Sequence, residues 1–409
     1  MNHKNHSSDN EWKKYKLGDL AEVQTGPFGS QLHQSDYKVV GTPIITVEHL
    51  GENKIIHKNL PLVGEEDRQR LIKYTLREGD IVFSRVGSVD RRVYIGKEED
   101  GWMFSGRCLR VRAVRKKVNP KFLSYYFGQK SFKELIRRIA VGATMPSINT
   151  TILNEVDVTI PELNYQSTIA SILSSLDYKI DLLHRQNKTL EQLAETFFRQ
   201  WFVKEAEESW GICKLGDFIS VKGGTTPSTT RSEFWNGNIN WTSPRDLSNN
   251  NSLFLFNTER KITEKGLKQI GSGLLPVGTV LLSSRAPIGY LVITEIPVAI
   301  NQGYIAIICD KFFSNYFIYL WVKKNLDTIV NAANGSVFLE ISKSTFKELE
   351  ITIPPIQKLE IFDKEIGPLF QKIKSNTIQI RTLTQLRDTL LPKLMSGEIR
   401  LNCDSYDWL

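Results

Sequence analysis

The chain contains one pattern twice. Lys16-Leu17-Gly18-Asp19 recurs 198 residues later as Lys214-Leu215-Gly216-Asp217, each copy just after a tryptophan, Trp12 or Trp210. Downstream, Glu78-Gly79-Asp80-Ile81-Val82-Phe83-Ser84-Arg85 aligns with Val277-Gly278-Thr279-Val280-Leu281-Leu282-Ser283-Ser284-Arg285. Val156-Asp157-Val158-Thr159-Ile160-Pro161 then matches Leu349-Glu350-Ile351-Thr352-Ile353-Pro354 at an offset of 193. Landmarks that keep their order and spacing across half a chain mean two copies of one unit. Whatever fold forms is built twice.

Each copy has two parts. The first, about 12–160 and 210–353, carries short β-type runs broken by Gly, Pro and Asn turns, such as Asp80–Phe83 and Thr279–Leu282. Helical stretches fall near Pro120–Ile139 and Asn315–Val330. That pattern predicts a compact α+β domain. After each Ile-Pro comes a long helix. Ile169, Leu173, Leu176, Ile180, Leu183, Asn187, Leu190, Ala194, Phe197 and Trp201 alternate steps of four and three residues. Phe362, Ile366, Leu369, Ile373, Asn376, Ile380, Leu383, Arg387, Leu390 and Leu394 do the same. A 3.5-residue repeat held this long is a coiled-coil seam. About 38 residues at ~1.5 Å each make a rod ~57 Å long. Two seams in one chain can pair within the molecule, and antiparallel pairing would place the domains at opposite ends about an approximate two-fold axis. Each seam carries one asparagine near its middle, and buried asparagine sets register at a cost in stability. Asn187 and Asn376 are therefore expected within hydrogen-bonding reach; two independently tolerated surface residues are the other reading.

Composition narrows the function. A length of 409 residues suits two or three domains. With 41% hydrophobic and 24% charged residues the chain is an ordinary globular protein, not a disordered one. No apolar run reaches the ~18 residues that span a bilayer, and the polar opening MNHKNHSSDNEW has no secretory h-region. A cytoplasmic location is expected. Cys108, Cys213, Cys309 and Cys403 lie far apart, which predicts free thiols. The net charge of +8 permits nucleic-acid binding without requiring it.

Catalytic signatures are missing from the sequence. There is no G-x-x-x-x-G-K-[ST], no dinucleotide G-x-G-x-x-G after a strand and no G-x-S-x-G elbow. His3, His6, His33, His49, His57 and His184 have no metal-ligand spacing. Glu11/Lys13 and Glu259/Lys261 match a nuclease E-x-K only at the level of two-residue chance.

Polar and basic loops remain, at equivalent places in the two copies. Ser84, Arg85 and Ser88, and likewise Ser284 and Arg285, follow a buried strand. Serine and arginine beside a glycine turn suit contact with phosphates or guanine edges. Arg91 and Arg92 come next in the first copy. An earlier pair of loops is Thr25-Gly26-Pro27-Phe28-Gly29-Ser30-Gln31 and Lys222-Gly223-Gly224-Thr225-Thr226-Pro227-Ser228. Trp241–Asp246 adds Ser243 and Arg245; late loops add Thr144 and Ser147 in one copy and Asn334-Gly335-Ser336-Val337 in the other. Any one of these loops reads equally as a solvated turn; recurrence at matched positions is what distinguishes the set. The run Arg107, Arg110, Arg112, Arg115, Lys116 and Lys117 alternates with apolar residues, which predicts a strand with one cationic face, either tracking a phosphate backbone or merely solvated.

At this point the chain resembles the DNA specificity subunit of type I restriction-modification systems. Leu386-Arg387-Asp388-Thr389-Leu390-Leu391-Pro392-Lys393-Leu394-Met395-Ser396-Gly397-Glu398-Ile399 looks like that family's C-terminal helix ending. Leu193–Phe202 is similar to its central conserved region. The resemblance implies an α+β fold: two target-recognition domains, 1–160 and 206–353, and two long helices, in 161–205 and 354–409, forming an intramolecular antiparallel coiled coil. Each domain would read one half of a bipartite, asymmetric DNA sequence, and the helices would set the gap. The implied partners are double-stranded DNA, two modification subunits and restriction subunits. S-adenosylmethionine, ATP and Mg2+ would sit on those partners, with no cofactor and no catalysis on this chain. Phe197, Phe198, Trp201 and Phe202, with Leu391 and Leu394, are expected to meet a modification subunit or, for the aromatic surplus, to pack under the second domain. A standalone nuclease or methyltransferase with a built-in reader, and a coiled-coil adaptor that binds only protein, are the competing classes.

Overall fold

The computed structural model describes residues 11–248, 252–335, 339–399 and 401. The chain divides into two compact units, residues 1–179 with 383–409 and residues 180–382. Each unit takes in part of both long helices, Leu163–Arg199 and Ile356–Met395. The reason is packing. In the first unit Phe122, Leu123 and Val158 share one core with Tyr165, Ile169, Leu173 and Leu394. In the second, Phe317, Phe346 and Ile351 share one with Ala194, Phe198, Phe362 and Phe370.

The first unit is organised on a five-stranded sheet in the order Ala21–Thr25, Cys108–Ala113, Ile81–Ser84, Arg92–Tyr94, Glu52–Asn53. The second repeats that order with Ser220–Lys222, Tyr304–Ile308, Val280–Ser283, Leu291–Thr294 and Phe254–Leu255. In both, the last pair is parallel and the others antiparallel. The repeated landmarks are the places where each unit closes on itself. Lys13–Lys16 pairs with Asp157–Ile160, and Gly211–Lys214 with Glu350–Ile353, each antiparallel. The Leu17 N–H then donates to the Val156 carbonyl (2.9 Å), as that of Leu215 does to Leu349 (2.8 Å). The predicted helical stretches each break into two, Pro120–Gly128 with Lys130–Ile139, and Asn315–Lys324 with Leu326–Asn331.

The seams form an antiparallel pair within each unit. Asp177 meets Arg387 and Tyr165 meets Ile399 in the first; Asn187 meets Asn376 and Phe198 meets Phe362 in the second. Residue numbers thus rise along one helix while they fall along the other. Every residue of the two 3.5-residue series is buried or half-buried. Asn376, fully buried, donates from Nδ2 to Asn187 Oδ1 (2.9 Å) and to Gln186 Oε1 (2.8 Å), while Asn187 Nδ2 reaches Thr377 Oγ1 (3.3 Å). The Asn376 Oδ1 atom has no partner. Changing Asn187 and Asn376 together to Leu is therefore expected to raise the melting temperature of the second unit, since apolar seam residues outweigh a half-satisfied amide pair. Asn376→Leu alone, which leaves Asn187 Oδ1 without its donor, should destabilise that unit by about 1 kcal/mol and lower its melting temperature. Thermal unfolding of the three proteins checks the order.

Candidate nucleic-acid interface

The sheet order determines which loops meet. In the first unit the strand Ile81–Ser84 lies beside Cys108–Ala113, so the residue after one and the residue before the other are neighbours. The Arg85 N–H donates to the Arg107 carbonyl (2.8 Å), and the Arg85 carbonyl accepts from the Ile148 N–H (2.9 Å). The Gly87 N–H donates to Pro146 (2.8 Å), which brings in the loop 141–147. Gly26 and Gly106 allow the fourth loop to close. A Cβ on Gly26 would lie 2.2 Å from the Ser105 carbonyl oxygen, and one on Gly106 would lie 2.2 Å from that of Pro27. Four loops, 26–31, 84–91, 105–107 and 141–147, thus gather around Arg85.

The second unit builds the same place from equivalent parts. The Ser284 N–H donates to Gly303 (2.8 Å), and the Ile341 N–H to the Ser284 carbonyl (3.1 Å). A Cβ on Gly224 would lie 1.8 Å from the Ile300 carbonyl oxygen, and Thr225 N–H donates to that same carbonyl (3.1 Å). Pro244 abuts Gly303, which attaches the Ser243–Arg245 turn. The loops 223–228, 284–289, 301–303 and 334–340 therefore meet as their counterparts do. Ser336 and Val337 of the last loop lie outside the described residues.

The two sites present different chemistry. In the first, Ser30, Ser88, Arg91, Arg107 and Thr144 are exposed, and Thr25, Arg85 and Ser147 half-buried. Arg85, Arg91 and Arg107 form no ion pair among the described residues. Phe28, Val141 and Met145 are exposed apolar residues of the same loops. In the second, Lys222, Thr225, Ser228, Arg245 and Asn334 are exposed, and Thr226 donates to Gln302 Oε1 (2.8 Å). Arg285 faces the Glu340 carboxylate at 3.4 Å. Ser243 begins the turn Pro244–Leu247, its N–H donating to Asp246 (2.9 Å).

Several expected contacts are not available, each for a stated reason. Arg92 is 3% exposed; its Nε donates to the Ser124 carbonyl (2.9 Å) and its Nη1 lies 3.6 Å from Glu52. Burial lowers its pKa to about 10, against the opposing pull of Glu52. Ser84 and Ser284 point inward, Ser84 donating to the Val86 carbonyl (2.7 Å). Gln31 is turned to Tyr74, whose hydroxyl donates to its Oε1 (2.9 Å). The cationic strand face does not exist either. Cys108–Ala113 is interior to its sheet, Arg110 is fully buried on Glu22 (2.7 Å), and Arg112 forks onto Asp80 (2.8 and 2.7 Å). Carboxylates 88 and 32 residues away cancel those charges. Leu394, expected at a partner surface, belongs to the core of the first unit, and Phe198 takes the other of its two expected places, in the core of the second. Phe197, Trp201, Phe202 and Leu391 are half-buried against those same cores.

Gln302 and Glu340 also lie in these loops, beyond the residues expected to contact DNA, and Phe28 stands against Arg85 within its loop. Gln302 was legible through strand alignment, since the residues before Tyr304–Ile308 had to lie where 105–107 lie, whereas Glu340 sits in the late loop bridged to Arg285 and Asn334.

With this geometry in place, comparison with known proteins is decisive: the description of the type I restriction modification DNA specificity domain matches residues 9–192 and again 207–388. The chain belongs to that family. As a type I specificity subunit it is the non-catalytic member of a restriction-modification system. It is 24% identical to the HindI specificity subunit of Haemophilus influenzae, over 95% of this chain and all of that one. To the MjaIX specificity subunit of Methanocaldococcus jannaschii it is 40% identical over 39% of this chain and 38% of that one. The crystal structure of the S subunit from M. genitalium shares its fold, with a TM-score of 0.62 at 17% identity, over 95% of this chain and 97% of that chain. No helix among the described residues is long and apolar enough to cross a membrane.

Proposed function

We propose that each unit of this specificity subunit reads one half of a bipartite, asymmetric double-stranded DNA sequence through its four gathered loops. One observation carries the reading. The same loops meet beside the same two strands in both units, yet they display unlike side chains, an apolar and unpaired-arginine set in one and a polar, partly acid-paired set in the other. A shared framework with divergent tips suits two readers of different bases. The two long helices set the unread gap, with the Asn187–Asn376 pair fixing their register. Two modification subunits dock on the helices and bring the S-adenosylmethionine chemistry, and restriction subunits of the same complex bring that of ATP and Mg2+. The part-exposed edges of Phe197, Trp201, Phe202 and Leu391 remain available to them.

Exchanging residues 12–160 for the equivalent part of another specificity subunit is the direct test. Mapping methylated adenines in a host carrying the chimera should show one half-site replaced and the other retained. If both halves change, or neither does, the units do not read independently.

A further inference from the structure

We infer that Phe28 is a positioning residue that fixes the Arg85 guanidinium for a single guanine in the half-site of the first unit. The inference rests on the bipartite reading and assigns the base that one of its residues recognises. Arg85 leaves the strand Ile81–Ser84 with both backbone groups pinned, its N–H on Arg107 (2.8 Å) and its carbonyl under the Ile148 N–H (2.9 Å). Its guanidinium carbon sits 5.5 Å from the Phe28 ring centroid, and Nη1 donates to the Gly106 carbonyl (3.1 Å). An aromatic face on one side and a single carbonyl at one nitrogen restrain the plane of the fork without using it up. Nε and Nη2 have no protein acceptor among the described residues.

The surroundings explain why this is a clamp and not a chance contact. Phe28 is 54% exposed, so its ring is not there to fill a core. Gly26 and Gly106 are the residues that let its loop approach the Gly106 carbonyl, because a Cβ on either would collide with backbone. The one carboxylate in the four loops, Asp90, is paired with Arg137 (2.6 Å), so no unpaired local acid competes for the charge. A phosphate can also take a fork of two hydrogen bonds, but it carries no sequence information, and the sequence preference at one base is what tells the two apart. Guanine presents O6 and N7 as two coplanar acceptors in the major groove, which a planar, pre-oriented fork matches. Arg285, the counterpart, is held by Glu340 and not by a ring, so the second half-site is read by another device at this position.

The test uses the full chain assembled with its modification subunits and a duplex carrying its recognition sequence. Each guanine of the half-site assigned to the first unit by domain exchange is replaced singly by 7-deazaguanine, which lacks the N7 acceptor. One position should weaken binding of the wild-type complex by roughly tenfold, within the range for a lost bidentate contact. Phe28→Leu should flatten the base preference at that position and become insensitive to 7-deazaguanine there, with an unchanged melting temperature. Phe28→Tyr, which keeps the ring face, should retain both. The inference is overturned by a half-site without guanine, by intact sequence preference with no sensitive guanine, or by Phe28→Leu weakening cognate and random duplex equally. A wild-type complex that does not distinguish cognate from random duplex overturns the bipartite reading itself.

Discussion

A complex whose two long helices are each lengthened by one heptad should lose its original DNA site. The insertions are placed between Lys179 and Ile180 and between Thr382 and Leu383, where each helix passes from one unit to the other. Seven residues preserve the 3.5-residue seam and hence the pairing of Asn187 with Asn376, while adding ~10.5 Å to each helix. That equals the rise of about three base pairs at ~3.4 Å each. Under the bipartite reading, both half-sites of the original duplex can then no longer be held at once. Binding falls toward that of a single half-site, a loss on the order of 10²–10⁴ when simultaneous engagement is forbidden. Longer gaps should bind best, though below the wild-type level. Three base pairs turn the duplex by about 100° at ~10.5 base pairs per turn, whereas one heptad rotates the seam by only about 20°. Gel-shift titrations on duplexes of stepped gap length measure this directly. Undiminished affinity for the original gap would remove the helices from any role in measuring DNA.

The seams from which that prediction follows were legible because period is a local property of a sequence. Ile169 to Trp201 and Phe362 to Leu394 carry their spacing whatever surrounds them, and no member of either series is exposed. The repeated landmarks were legible for a related reason. Lys16–Asp19 and Val156–Pro161 close one unit against each other, so both ends had to be kept in each copy. Charge was different. Arg92, Arg110 and Arg112 read as cationic surface because their partners, Glu52, Glu22 and Asp80, lie 40, 88 and 32 residues away, and no spacing rule connects them. The aromatic surplus after Leu193 read as a docking surface or as packing under the second domain because a two-helix seam could not cover it, and the burial fits the second of these. The helix pair Asn315–Lys324 and Leu326–Asn331 supplies the missing partners, with Phe317 in tilted and edge-on contact with Phe198, Phe202 and Phe362. Arg85 was singled out as a recognition residue, but the ring that orients it comes from a loop 57 residues earlier and emerges only once Gly26 and Gly106 bring the loops together.

Asp80→Ala should be the most destabilising single substitution in the first unit. The Asp80 side chain is 2% exposed and accepts three hydrogen bonds, from Arg112 Nε (2.8 Å), Arg112 Nη2 (2.7 Å) and the Arg77 N–H (2.8 Å). Its backbone closes the turn of Gly79, whose φ of +96° is glycine territory, and accepts from the Ile95 N–H (2.9 Å). Removing the carboxylate leaves the Arg112 guanidinium with only the Thr75 carbonyl (3.1 Å) and the Arg77 N–H with no partner, a loss of about 3 kcal/mol. That is a large share of the ~5–15 kcal/mol available to a domain. The second unit shows how the same turn is built without charge. Thr279 stands at the position of Asp80, donating from Oγ1 to the Pro276 carbonyl (2.7 Å), and Ile308 stands at that of Arg112. Transplanting that solution as Asp80→Thr with Arg112→Ile removes both charges together, and replacing a buried ion pair whole is commonly neutral. The double variant should therefore recover most of what Asp80→Ala loses. Urea unfolding, with hydrogen exchange on Cys108–Ala113 to report on the first unit, separates the cases. A cost below about 1 kcal/mol for Asp80→Ala, or a double variant no more stable than the single one, would mean that the pair does not hold this sheet together.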